Sequence, residues 1–273
     1  MKVVLFCGGL GMRLREYSDT VPKPLIPIGG RPLIQHLMEY YAHFGHKEFV
    51  LCLGYGGDAI RHHFLGAGLG SPADKETADW RITFVDTGIA ANIGERLKAV
   101  ESHLADEEMF LANYADGLTD CPLPEQIAFA RRRRAVATFL SVKPNLSYHA
   151  VTTDTLGVVT QVREFADTDF RVNGGFFVFR REIFRFLRPG EDLVPDAFQR
   201  LMRLRQLAAY SYDGFWLAVD TAKDKQRIDE IVAAGTPPWQ LCDSPARMAS
   251  GSGLNRSTST KLGIVKCRVV RDD

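Results

Sequence analysis

Strand-like apolar runs that alternate with amphipathic stretches constrain this chain more than any other feature. "VVLF" (residues 3–6), "EFVLCLGY" (48–55), "RITFVDTG" (81–88), "EMFLANYADG" (108–117) and "AVATFLSV" (135–142) have strand character, and helical periodicity fills most of the gaps between them. A strand, a helix and a further strand in succession form a crossover, and crossovers leave the strands parallel. Parallel strands are covered on both faces, so the first run is apolar without alternation. The expected class is α/β, with a mostly parallel central sheet. "RPLIQHLMEYYAHFG" shows the helical part, with Leu33, Leu37, Tyr40, Tyr41 and Phe44 on one face, Pro32 in the first turn and Gly45 as the stop. After residue 150, "TLGVVTQVREF" (155–165) and "RVNGGFFVFR" (171–180) read as a small, partly antiparallel appended element. Residues 1–240 are expected to form the domain and 241–273 a flexible C-terminal tail, with a short strand at "LGIVKCRVV" (262–270).

Composition removes several function classes. The 273 residues are 45% hydrophobic and 25% charged, enough for one large core, and the net charge of +1 argues against an electrostatic grip on nucleic acid or membrane. "RRRR" (131–134) therefore reads as an exposed helix end, and His62–His63 as a surface helix pair. Five cysteines without CxxC spacing fit reduced thiols in a cytoplasmic protein. No signal region is expected, and no apolar run approaches the roughly 20 residues that cross a bilayer.

Chemistry concentrates where apolar runs end. Gly8, Gly9 and Gly11 follow the first strand, where successive peptide N–H groups form an anion-binding concavity. Arg13 and Lys23 add full charge, and Pro22, Pro24 and Pro27 stiffen the chain around Lys23. The loop lacks the Gly-Lys-Ser/Thr ending of a P-loop. Ligands of an open parallel sheet bind beyond the carboxyl ends of its strands, where Asp116 and Asp220 both fall. Asp116 reads as a metal or hydroxyl ligand or as an Asp-Gly turn; Asp220 reads as a metal ligand or as a helix N-cap, a role that Thr221 also fits. Two carboxylates across one cleft suit Mg²⁺ carrying a phosphate ester, which with the cationic glycine loop points to phosphoryl or nucleotidyl transfer.

Longer blocks carry a family resemblance. "CGGLGMRL", "VPKPLIPIGGRPL" and "LGYGG" resemble the sugar-1-phosphate nucleotidylyltransferases. "FVDTG", "ERLKAV", "YADG", "VNGGFFVF", "GFWLAVDTAKDK" and "AGTPPW" narrow the resemblance to the glucose-1-phosphate cytidylyltransferases, in that family's order from residue 2 to about 240. The resemblance implies a single Rossmann-like nucleotidyltransferase domain in which a sugar phosphate attacks the α-phosphorus of CTP and pyrophosphate leaves, with Mg²⁺ as cofactor and a homo-oligomer as the assembly. It assigns Gly8, Gly9, Leu10 and Gly11 to the nucleotide, Arg13 to the triphosphate, Lys23 to the α-phosphate and Arg96 to the nucleotide. Asp116 and Asp220 become the Mg²⁺ ligands, and Asn173, Gly174 and Gly175 the sugar side.

Three departures qualify this assignment. Met12 stands where the family has a hydroxyl beside the nucleotide, and Ala115 where it has glycine. Asp167 and Thr168 occupy the place of a Glu-Lys pair whose lysine grips the sugar phosphate, which leaves Arg171 or Arg163 to replace it. Alternation along "RVNGG" puts Arg171 and Asn173 on one strand face. Losing one charge-assisted contact costs on the order of 1.5–3 kcal/mol. The acceptor need not be glucose 1-phosphate. Two alternatives stay open: the same chemistry with another nucleoside triphosphate or a non-glucose phosphate, and a nucleotide-binding regulatory protein without turnover.

Overall fold

Every residue of Val3–Phe6 (β1) is buried because the strand has a parallel neighbour on each side. Toward one edge lie Glu48–Leu53 (β2) and Arg81–Asp86 (β3), and on the other side lies Met109–Tyr114 (β4), all parallel to β1. This computed structural model describes residues 1–9, 21–66, 79–144, 148–235 and 237–241. These residues belong to one compact unit, Met1–Leu241; the second unit, Cys242–Asp273, lies outside them, as does the tail strand expected there.

The other half of the sheet departs from the simple alternation. Gly117–Thr119 (β5) leads by way of a helix to Ala137–Val142 (β6). A ribbon of His149–Thr153 (β7) and Val159–Glu164 (β8) follows, then Val172–Asn173 (β9) and Phe177–Arg180 (β10). β10 inserts antiparallel between β4 and β6, and β9 pairs antiparallel with the end of β6. Leu207–Tyr212 (β11) closes that edge, parallel to β6, while Trp216–Ala218 (β12) pairs with β5. Residues 171–180 are thus part of the central sheet and not of an appended element. The positive φ of Gly175 (+76°) and Phe176 (+48°) splits them into two strands that pair separately. The β7–β8 ribbon is the appended antiparallel piece.

Helices cover both faces. Leu33–His43 (α1), Gly57–Gly66 (α2), Leu123–Arg133 (α4, after Ile93–Ala99, α3) and Ala222–Ala233 (α6, after Phe198–Arg203, α5) carry Leu33, Leu37, Ile60, Ile127 and Ile228 into one core. α3 and α5 carry Leu97, Phe198 and Leu201 into the other, beneath Val4, Phe110 and Phe177. Full burial of such a side chain contributes about 1.5–3 kcal/mol. Pro32 is the N-cap of α1, not a residue of its first turn, because it ends a two-residue ribbon with Pro27–Ile28. Gly45, at φ +82°, ends the helix by donating its N–H to Ala42 O at 2.9 Å. Arg131–Arg134 are exposed at the end of α4, and His62 and His63 fall on α2. Among the described residues no helix is long and apolar enough to cross a membrane.

Candidate active site

Three charged side chains meet at the carboxyl edge of the sheet. Lys23 lies in a tight turn, Lys23–Leu25, flanked by Pro22 and Pro24 and closed by Leu25 N–H to Pro22 O at 2.8 Å. Its ammonium donates to Asp116 Oδ2 at 2.6 Å and to Asp220 Oδ1 at 2.8 Å. Asp116 occupies the turn between β4 and β5. The backbone explains why Asp220 joins it: β5 and β12 pair antiparallel, and Val219 N–H donates to Asp116 O at 2.9 Å. The cap reading of this corner belongs to Thr221, which forms a capping box with Asp224, so the Asp220 carboxylate is directed to Lys23. Burial lowers the lysine pKa, but Asp116 and Asp220 outweigh it, and the net shift is upward from the ordinary lysine value. The ammonium stays charged.

The expected nucleotide residues divide. Gly9 is exposed, and Gly8 is packed so tightly that an added Cβ would stand 2.1 Å from Arg96 Nη1. Leu10, Gly11, Met12 and Arg13 lie outside the described residues. Arg96 is only 2% exposed, and its guanidinium faces the protein. It donates to Gly8 O at 3.0 Å, Leu53 O at 3.1 Å, Ile89 O at 3.3 Å and Thr87 Oγ1 at 2.6 Å. It therefore ties together the turns that follow β1, β2 and β3. The Ala115 methyl is buried in the core that includes Leu118 and Phe176.

On the sugar side, Asn173 Oδ1 accepts from Gly175 N–H at 3.0 Å. Burial, then Asp116 and Asp192, push the Tyr114 phenol up to about 12, so it is neutral. Gly174 O accepts from Trp216 Nε1 at 2.9 Å. Arg171 does not reach into the cleft: it donates to Ser141 O, to Tyr212 O at 2.7 Å and to Asp213 Oδ1 at 2.8 Å, clamping the ends of β6 and β11. Thr168 is buried, and its hydroxyl closes a local turn by donating to Phe165 O at 2.7 Å and accepting from Phe170 N–H at 3.2 Å. Arg163 lies on the exposed β8. Neither arginine stands in for the absent lysine through a contact seen here. Sequence reasoning misses Tyr114 and Asn113 and reads Trp216 simply as core. The one signal for Asn113 is an amide inside the apolar "MFLANY".

The donor set fits a hard divalent cation. Asp116 and Asp220 carry the hard anionic oxygens that such a cation takes, and the point on which Asp116 Oδ2 and Asp220 Oδ1 converge is held by the Lys23 ammonium. Among the described residues no cluster of three or more His, Cys, Asp or Glu completes a cage, so phosphate oxygens and water would supply the rest of the shell.

A cation held between two carboxylates at the carboxyl edge of a parallel sheet is the kind of arrangement that phosphate-group transferases use. Residues 2–230 match the family described as Nucleotidyl transferase, and the chain belongs to that family. Glucose-1-phosphate cytidylyltransferase of Salmonella typhi is 32% identical over 260 residues, covering 88% of this chain and 99% of its own length. A Bacillus subtilis (strain 168) protein named "Probable glucose-1-phosphate cytidylyltransferase" is 31% identical over 255 residues, with 88% and 100% covered. The solved structure of HddC from Yersinia pseudotuberculosis shares the fold, with a TM-score of 0.61 at 17% identity over 85% of this chain and 99% of that one.

Proposed function

We propose that the protein joins a nucleoside triphosphate, preferentially CTP, to a sugar 1-phosphate or sugar-like phosphate and releases pyrophosphate, with Mg²⁺ as its cation. The observation that carries the reading is Lys23 held between Asp116 and Asp220. Relatives 31–32% identical over 88% of the chain support CTP and a sugar 1-phosphate as the substrate pair.

The acceptor's phosphate oxygen forms a new bond to the α-phosphorus, and the bond from that phosphorus to the bridging oxygen breaks, so pyrophosphate leaves with the electron pair. The attacking oxygen is already ionised, so no protein nucleophile is required and catalysis rests on alignment and charge. Lys23 is oriented by its two carboxylates to stabilise negative charge on the α-phosphate. Gly9, exposed and with open space where a side chain would stand, leaves room for the nucleotide, Gly8 lets Arg96 close against the turn behind it, and Arg13 is assigned to the triphosphate. Asn173, with Gly174 and Gly175, orients the acceptor. Mg²⁺, when held by Asp116 and Asp220, offsets phosphate charge. Thr168 in place of the family's lysine supports an acceptor other than glucose 1-phosphate. The same reading makes the protein a cytoplasmic homo-oligomer. Buried free thiols at Cys7, Cys52 and Cys121 support the compartment, and Val151 and Val162, each 57% exposed on the ribbon, support the assembly.

Phosphorus NMR of the protein mixed with Mg²⁺, CTP and a panel of sugar 1-phosphates tests the reaction. The coupled resonances of a new diphosphate diester should grow together with free pyrophosphate. Loss of CTP to CMP or CDP without that product would contradict the transfer.

A further inference from the structure

We propose that Asn113, assisted by Gln126, is a positioning residue that fixes the Asn173–Phe176 turn against the strand delivering Asp116. The inference rests on the reading above that this turn faces the acceptor.

Among the described residues three non-glycine residues have positive φ. Arg134 and Arg205 are exposed after helices, whereas Phe176, at φ +48°, is 1% exposed with its ring against Tyr40 and Tyr41. A bulky aromatic rarely adopts this conformation unless its surroundings enforce it. Both of its peptide groups are held. Phe176 N–H donates to Asn113 Oδ1 at 2.8 Å, and Phe176 O accepts from Gln126 Nε2. Asn113 is 1% exposed and Gln126 0%, in positions where apolar side chains would normally sit. A buried amide is favourable only where its partner would otherwise lack a hydrogen bond, and here the partner is the strained peptide.

The connections run to both carboxylate strands. Asn113 is on β4, which leads directly into Asp116, and Trp216, which binds Gly174 O, is on β12, which leads into Asp220. Gly175 fits this arrangement alone: at φ +76° an added Cβ would stand 2.3 Å from Asn113 Oδ1. Asn173 therefore has its distance from the charged centre set by the turn that Asn113 grips.

The test compares Asn113→Leu, which removes the acceptor oxygen, with Asn113→Asp, which keeps one. Acceptor KM, nucleotide KM and amide hydrogen exchange at residues 173–176 are measured for each. Asn113→Leu should raise acceptor KM by about tenfold or more and leave nucleotide KM within about twofold, while exchange at 173–176 quickens and β4 stays protected. Asn113→Asp should recover most of the acceptor KM. If Asn113→Leu does not fold, Gln126→Met should give the same split in smaller degree. Equal movement of both KM values, or unchanged exchange in the turn, would overturn the proposal. Should the unaltered protein turn over no sugar phosphate at all, the functional reading fails, and the exchange measurement alone still decides whether Asn113 holds the turn.

Discussion

Lys23 Nζ and Asp116 Oδ2 lie 2.6 Å apart across 93 residues of sequence. Only 14% of the lysine side chain and 27% of the aspartate side chain are exposed, so the pair is shielded from bulk screening. Its role is expected to be chemical more than structural. Lys23→Ala and Asp116→Asn should each lower kcat/KM for pyrophosphate release by about a hundredfold or more while circular dichroism stays unchanged. Near-normal turnover by either folded variant would remove the triad from the mechanism.

Arg96 is expected to act through stability and loop placement. Burial lowers its pKa, yet the guanidinium serves three backbone carbonyls that nothing else in its place would satisfy with the same geometry. Each buried acceptor left without a donor costs roughly 1–3 kcal/mol. Arg96→Lys should lower the melting temperature by roughly 5 °C or more and raise nucleotide KM through the turn at Gly8. An unchanged melting temperature with a raised nucleotide KM would instead return Arg96 to direct nucleotide contact.

Arg171 separates a clamp from a phosphate ligand. Because its guanidinium joins the ends of β6 and β11, Arg171→Ala should lower the melting temperature by about 3–6 °C and leave both KM values within about twofold. A selective rise in acceptor KM would show that the side chain leaves Asp213 for the acceptor phosphate.

Acid should loosen the fold through two histidines. His36 is 2% exposed, shares a hydrogen bond with Ile28 O at 2.9 Å and faces Trp239 Nε1 at 3.4 Å, with Glu39 4.0 Å away. Burial lowers its pKa despite the opposing pull of Ile28 O and Glu39, and burial with the N-terminal ammonium lowers that of His46 to about 4. Below about pH 6.5 the unfolded chain binds protons that the folded chain does not, so this stability is present above 6.5 and is lost as pH falls toward the folded values. Thermal melts should show a drop between pH 7 and pH 5 that the double variant His36→Asn/His46→Asn reduces. A slope identical in the variant would assign the acid sensitivity to other groups.

The parallel half of the sheet was legible because β1 and β2 are apolar along nearly their whole length, and only a doubly covered strand uses such a run. The meeting of Asp116 and Asp220 followed from two apolar runs ending at one edge, whereas the contact of Lys23 with both carboxylates has no local signal beyond the prolines around it. Arg96 is assigned to the nucleotide by resemblance, and nothing local in "ERLK" marks an arginine that turns inward to carbonyls from three other elements. The insertion of β10 between β4 and β6 depends on the positive φ of Phe176, which is imposed by Asn113 and Gln126 and leaves no trace in residues 171–180 themselves. Alternation could not place Arg171, which precedes the two-residue strand Val172–Asn173 and donates to Ser141 O and Tyr212 O.

The most direct measurement is pyrophosphate release from CTP, ATP, GTP, UTP and dTTP, each paired with a panel of sugar 1-phosphates, in Mg²⁺ and again in EDTA. The account predicts that one or more acceptors support release, that kcat/KM with CTP exceeds that with any other triphosphate by about tenfold or more, and that EDTA removes the activity. Nucleotide binding without release for every pair, or release undiminished in EDTA, would contradict it.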